Sequence, residues 1–121
     1  VSRERPRGRL ESPIVREAIE SLGSFDDLVL WRIVPTSPPD PITGRVFHCA
    51  PTGFADYVGI IAPAGRWCSL EFKRERGGRL SEFQKMHRDL VRRMGGFAAD
   101  DLRSAEDARA AIERARNGED R

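Results

Sequence analysis

With 121 residues, 39% of them hydrophobic and 33% charged, the chain can build one modest core and is too apolar to be intrinsically disordered. Its formal net charge of +2 excludes naming it a nucleic-acid binder on charge alone. No apolar run approaches the ~18 residues of a membrane span, no signal-peptide pattern stands at the N-terminus, and Cys49 and Cys68 are too few for a disulfide framework, so a reducing, cytoplasmic setting without a membrane is expected.

Residues 1–10 carry Arg3, Arg5, Arg7 and Arg9 and read as a flexible basic arm, which either touches a DNA backbone or only solubilises the chain. Ser12 looks like an N-cap with Pro13 at the first helical position. Ile14, Val15, Ala18, Ile19 and Leu22 then recur at helical spacing until Gly23, so a helix over 13–22 is expected, with Glu11 at its mouth. Residues 28–34 are β-branched and aromatic and predict a strand. The four prolines of 35–44 exclude a sheet interior and leave an ordered loop or a lid. Strands are expected at 54–62 and 66–73, joined at Gly65 as an antiparallel hairpin. Residues 74–79 form a polar connection to a helix over 81–94, whose apolar stripe is Phe83, Met86, Leu90, Val91 and Met94. Gly95-Gly96 ends it. A short strand at 97–100 and a helix over 105–116, begun by Ser104, follow. The order αβββαβα predicts an α/β domain with a mixed sheet flanked by helices. It spans 11–116, after the arm of 1–10 and before a flexible tail of 117–121.

The chemistry-bearing residues lie on the hairpin. Alternate strand residues share a face, so Glu71 and Lys73 point one way while Leu70 and Phe72 point into the core. Asp56 on the partner strand can reach the side of Glu71. Two close carboxylates repel unless a cation sits between them, and hard oxygen donors suit Mg²⁺. Of the 21 basic residues, all but Lys73 and Lys85 are Arg, so a lysine at 73 points to a need for a compact ammonium. Carboxylates, a divalent cation and a lysine are what phosphodiester hydrolysis uses. An isolated Glu-x-Lys is nevertheless common on any half-exposed strand.

The surrounding residues narrow the reading. Gly53-Phe54-Ala55-Asp56, Leu70-Glu71-Phe72-Lys73, Gly77-Gly78-Arg79-Leu80-Ser81 and Gln84 together closely resemble the virus-type replication-repair nuclease (VRR-NUC) domain of the PD-(D/E)xK nuclease superfamily. The likeness runs from Glu11 to about residue 113, taking in Trp31-Arg32, Gly95-Gly96 and the helix start at Ser104. It implies a restriction-endonuclease-like core and a Mg²⁺- or Mn²⁺-dependent DNA endonuclease with no small-molecule cofactor. Branched or flapped intermediates of replication, repair and recombination are the implied substrates, cut by a homodimer. By the same resemblance Asp56, Glu71, the carbonyl of Phe72 and Glu11 are metal ligands, Lys73 is the catalytic lysine and Gln84 lines the site. Ala55 stands where the superfamily has Pro. The proline-rich loop replaces an Asn-x-Gly that family members carry soon after the residue matching Arg32, which bears on how substrate is held there.

Several residues keep two readings. Ser81-x-x-Gln84 is also a capping box. Glu11 also suits a helix mouth by its charge, and Glu17 and Glu20 compete for its role. Arg32, Arg74, Arg76 and Arg79 either contact DNA phosphates or are solvated. His48, Cys49, Cys68 and His87 match no common zinc spacing. The alternatives to an autonomous nuclease are a non-catalytic DNA-binding module on the same fold and a nuclease subunit that depends on a larger partner.

Overall fold

Three serines set the helix starts. The hydroxyls of Ser12, Ser81 and Ser104 accept the backbone N–H groups of Val15 (3.2 Å), Gln84 (3.1 Å) and Asp107 (3.0 Å), satisfying donors that the first turn of each helix leaves open. The structure, a computed structural model, describes residues 12–34, 37–47, 53–73 and 80–121. Its elements are α1 (Pro13–Leu22), β1 (Leu28–Arg32), β2 (Tyr57–Ile61), β3 (Arg66–Phe72), α2 (Glu82–Arg93), β4 (Phe97–Leu102) and α3 (Ala105–Arg116). The expected order of elements holds. Strand limits differ: the first two strands are shorter than their apolar runs, and β4 continues to Leu102.

The four strands form one mixed sheet in the order β1-β2-β3-β4. The first three are antiparallel, and β4 returns through α2 to lie parallel to β3. The expected turn at Gly65 closes the β2–β3 hairpin, with φ +70. On one face Cys68, Leu70 and Phe72 of β3 and Phe97, Ala99 and Leu102 of β4 meet α1 and α3 in the core. Ala108, Ala111 and Ala115 let α3 approach this face closely. The other face carries α2 over β3 and β4. The result is an α/β domain whose four-stranded mixed sheet is flanked by three helices.

One irregularity keeps the faces consistent. Leu70 pairs with Ala99 but Phe72 pairs with Leu102, so β4 holds one extra residue opposite Glu71. Without it Asp101 would stand at the core position that Leu102 fills. Asp100, next after the core residue Ala99, takes the α2 face by ordinary alternation.

Charged side chains fasten the periphery. Arg66 donates to the carbonyls of Gly95 (3.1 Å) and Ala115 (2.7 Å), tying the ends of α2 and α3 together. Arg109 and Arg116 both stack on Phe25, each 4.3 Å from its centroid, and Arg116 forks onto Asp27. That pairing holds the Asp27 carboxyl below its ordinary range. Residues 117–121, expected as a tail, run back to β4, where Ala98 N–H donates to Asp120 O at 3.0 Å.

The proline-rich segment is ordered over 37–47. Ser37 N donates to Phe47 O and Asp40 N to Arg45 O, both at 2.8 Å, while Asp40 Oδ1 accepts Ile42 N and Thr43 N. Those two donors lower the Asp40 pKa. The expected basic arm of 1–10, Glu11 and the 74–79 connection lie outside the described residues. Among the described residues no helix is long and apolar enough to cross a membrane.

The α2 stripe departs from its expected place. Only Val91 is buried, and Phe83, Met86, Leu90 and Met94 are exposed. The residues that face the sheet are instead Gln84, His87, Arg88 and Val91, because the sheet surface under α2 carries polar groups.

Candidate functional site

The hairpin register places the two acids. Tyr57 pairs with Leu70 in the last antiparallel pair of β2 and β3, so one further step sets Asp56 opposite Glu71. Tyr57 and Leu70 point into the core, and Asp56 and Glu71 therefore share the α2 face. Asp56 is fixed at both ends. Its carbonyl accepts Ile33 N at 2.9 Å, and its Oδ2 accepts Phe72 N at 3.2 Å. Lys73 follows β3 directly, with its N–H donating to Leu102 O at 2.8 Å. Continued alternation puts Lys73 on the side of Glu71.

Helix α2 supplies the wall of the site through its first turn. Gln84 Oε1 accepts Ser81 N at 2.8 Å while Gln84 Nε2 donates to Glu71 Oε2 at 3.0 Å. One amide makes two contacts at once: its carbonyl completes the capping box and its NH₂ donates to Glu71. Gly53 explains how strand and helix come so close. Its φ is +91, and a Cβ there would lie 2.5 Å from the backbone of Phe83.

Behind this end of the hairpin a small pocket lies between α2 and the sheet, lined by Glu71, Gln84, Ser69, His87, Arg88 and Asp100 among others. Ser69 is buried and accepts the indole N–H of Trp67 at 2.9 Å, and its hydroxyl lies 3.2 Å from His87 Nε2. The His87 ring packs on Phe54 with centroids 4.6 Å apart. Burial lowers the His87 pKa, so the neutral ring is favoured. On the far side Arg88 pairs with Asp100 at 2.7 Å.

The arrangement brings Asp56, Glu71, Lys73 and Gln84 to one end of one sheet face, with the Phe72 backbone between the acids. Arg32 is not among them. It pairs with Tyr57 at the same end of the sheet, and so falls on the opposite face. Glu11, Arg74, Arg76 and Arg79 lie outside the described residues. Among the described residues no group of three or more His, Cys, Asp or Glu side chains converges as a metal site. Cys68 lies in the core on the face away from His87, and burial pushes its thiol up to about 12.

Sequence reasoning missed Asp100 and the Trp67–Ser69–His87 chain. Asp100 reaches the pocket through the parallel pairing of β4 with β3, which no local pattern encodes. The Ser69 position was legible, since it alternates with Glu71 on β3. Its partner His87 falls one turn after the singled-out Gln84.

No family model matches the chain, and comparison with curated proteins and with solved structures returned no match.

Proposed function

We propose that this chain is a metal-dependent DNA endonuclease of the VRR-NUC type, built on a restriction-endonuclease-like core. The observation that carries the reading is the placement of Asp56 opposite Glu71 at the end of a hairpin, with Lys73 next on the same side. Carboxylates opposed across a hairpin favour a cation between them, and an all-oxygen donor set suits Mg²⁺ or Mn²⁺ over a softer metal. Mg²⁺ commonly takes one or two carboxylates and completes its shell with water and phosphate oxygens, so the residues present fit such an ion. Asp56, Glu71 and the Phe72 carbonyl would hold it, with Glu11 as a further ligand. When bound, a divalent ion supplies a lower pKa for water and neutralises charge on the attacked phosphate.

The chain's own residues do the rest. Phe72 N–H and Gln84 Nε2 donate to Asp56 and Glu71, which orients both carboxylates before substrate arrives. The Lys73 ammonium offsets negative charge that gathers on the phosphate as the bond to the leaving oxygen breaks. Arginines spread over the surface contact the DNA backbone, and branched or flapped DNA is the substrate class.

The test is cleavage of plasmid and branched DNA by the purified full chain with Mg²⁺ or Mn²⁺, alongside Asp56→Asn. Wild type should cut, and the variant should lose both cleavage and calorimetric metal binding while keeping its circular dichroism spectrum. Metal binding unchanged in Asp56→Asn would remove the site assignment. DNA binding without cleavage by wild type would favour a non-catalytic module, and cleavage only after a partner is added would favour a subunit.

A further inference from the structure

One row of the sheet away from the candidate acids stands an exposed indole. Trp31 pairs with Val58 across β1 and β2, and Val58 pairs with Ser69 across β2 and β3. Strand alternation puts all three on the face that carries Asp56 and Glu71. Helix α2 lies over β3 and β4, away from β1. Trp31 is 52% exposed, while Val58 beside it is buried. The second indole on this face is already engaged. Trp67 donates its N–H to Ser69 at 2.9 Å and meets Phe54 edge-on, with centroids 6.4 Å apart. Trp31 enters neither contact. A whole aromatic side chain offers roughly 150–250 Å², so about 100 Å² of Trp31 is open to a ligand.

The spacing from Trp31 to the acids fits one nucleotide. Asp56 precedes Val58 by two residues and is therefore the diagonal neighbour of Trp31, a separation of roughly 7–8 Å in a regular antiparallel pair. Phosphate and base in one nucleotide are held apart by a single sugar, which bridges a gap of that size. A phosphate at Asp56 and Glu71 thus brings an attached base over the indole. A base inside a duplex is stacked by its neighbours and presents only its edges in the grooves. An unpaired base frees a face for an aromatic ring, and the ring accepts any base because each has a π face.

We propose that Trp31 is the base-stacking residue of the candidate site: it holds an unpaired DNA base beside the phosphate at Asp56 and Glu71, and so favours a single strand over a duplex at the cut. The position of that phosphate rests on the nuclease reading, whereas the stacking itself is measured without cleavage.

Fluorescence anisotropy of the full chain in Ca²⁺ compares three labelled DNAs: a short single strand, the same strand with abasic sugars throughout, and a blunt duplex. Trp31→Ala should weaken binding of the single strand roughly tenfold or more, and should leave the abasic strand and the duplex within about twofold. Trp31→Phe should keep most of the affinity. Trp31→Leu should behave as the alanine variant does, since it is apolar but offers no ring face. All three variants should keep the wild-type circular dichroism spectrum. Wild type that binds the single strand no tighter than the abasic strand overturns the proposal. So does a loss that is equal on the abasic strand or the duplex, and so does a Trp31→Leu protein that binds as wild type. Unchanged affinity in Trp31→Ala overturns it too and leaves the exposed ring to a protein partner. Cleavage in Mg²⁺ separates the two readings. Wild type that cuts while Trp31→Ala binds undiminished removes the stacking role alone, and Trp31-dependent binding in a wild type that never cuts removes the catalysis alone.

Discussion

At the scale of single residues, Lys73 offers the sharpest separation of catalysis from binding. Its charge is proposed to act on the transition state, so its loss should lower turnover more than affinity. Lys73→Met should cut cleavage by roughly 10²-fold or more, with DNA binding in Ca²⁺ changed less than about tenfold because arginines supply most phosphate contacts. Lys73→Arg should be nearly as impaired, since a planar guanidinium cannot take the place of a compact ammonium. A wild-type cleavage rate in Lys73→Arg would end the case for a specific lysine. His87 makes a different prediction. Burial lowers its pKa below 6.5 in the folded state, so the unfolded chain takes up the proton first. The stability this residue contributes is complete above pH 6.5 and is lost as pH falls through the folded pKa. The melting temperature of wild type should therefore drop more between pH 7 and pH 5 than that of His87→Gln, and equal drops would show that the ring's protonation does not matter to folding.

At the scale of elements, the site depends on how α2 begins. The Ser81 cap, the Gln84 amide and Glu71 form one connected set, so a change in the cap should be felt at the acid. Gly53 holds the other side of this junction. Gly53→Ala places a Cβ against the Phe83 backbone and demands a positive φ, so it should cost about 1–3 kcal/mol and shift the first turn of α2. Ser81→Ala removes one cap and should cost about 1 kcal/mol. Urea titration of both variants provides the check, and a Gly53→Ala protein as stable as wild type would mean that strand and helix are less tightly apposed. Ser81 was legible as a cap, and Gly53 only as the first residue of the motif that ends at Asp56. That they meet at one junction was not, because the chain between them spans the whole hairpin.

At the scale of the molecule, the two faces of the sheet do different work. The α1–α3 face is filled with small, aliphatic and aromatic side chains and holds the core of the fold. Ala111 is fully buried there, and Ala111→Leu should overpack the layer between α3 and the sheet. A loss of about 1–3 kcal/mol with an unchanged denaturant slope is expected, and a stabilised variant would reveal a void beside α3. The α2 face is instead polar under the helix and apolar beside it. Its polar part holds the candidate site, and its apolar part, with Val29, Ile60 and Trp67, is exposed.

Local periodicity and capping chemistry alone determined the helix starts, the order of elements and the pairing of Glu71 with Lys73, because each depends on residues within a turn or a strand of one another. Hairpin geometry extended that reach to Asp56, since a short connection leaves few registers open. Tertiary structure decided what depends on distant packing. It turned the α2 stripe outward, brought Asp100 to the pocket by pairing β4 parallel to β3, and sent Arg32 to the other face of the sheet. An amphipathic pattern states that a helix has an apolar side; only the polar surface of the sheet beneath α2 determines that this side faces away from it.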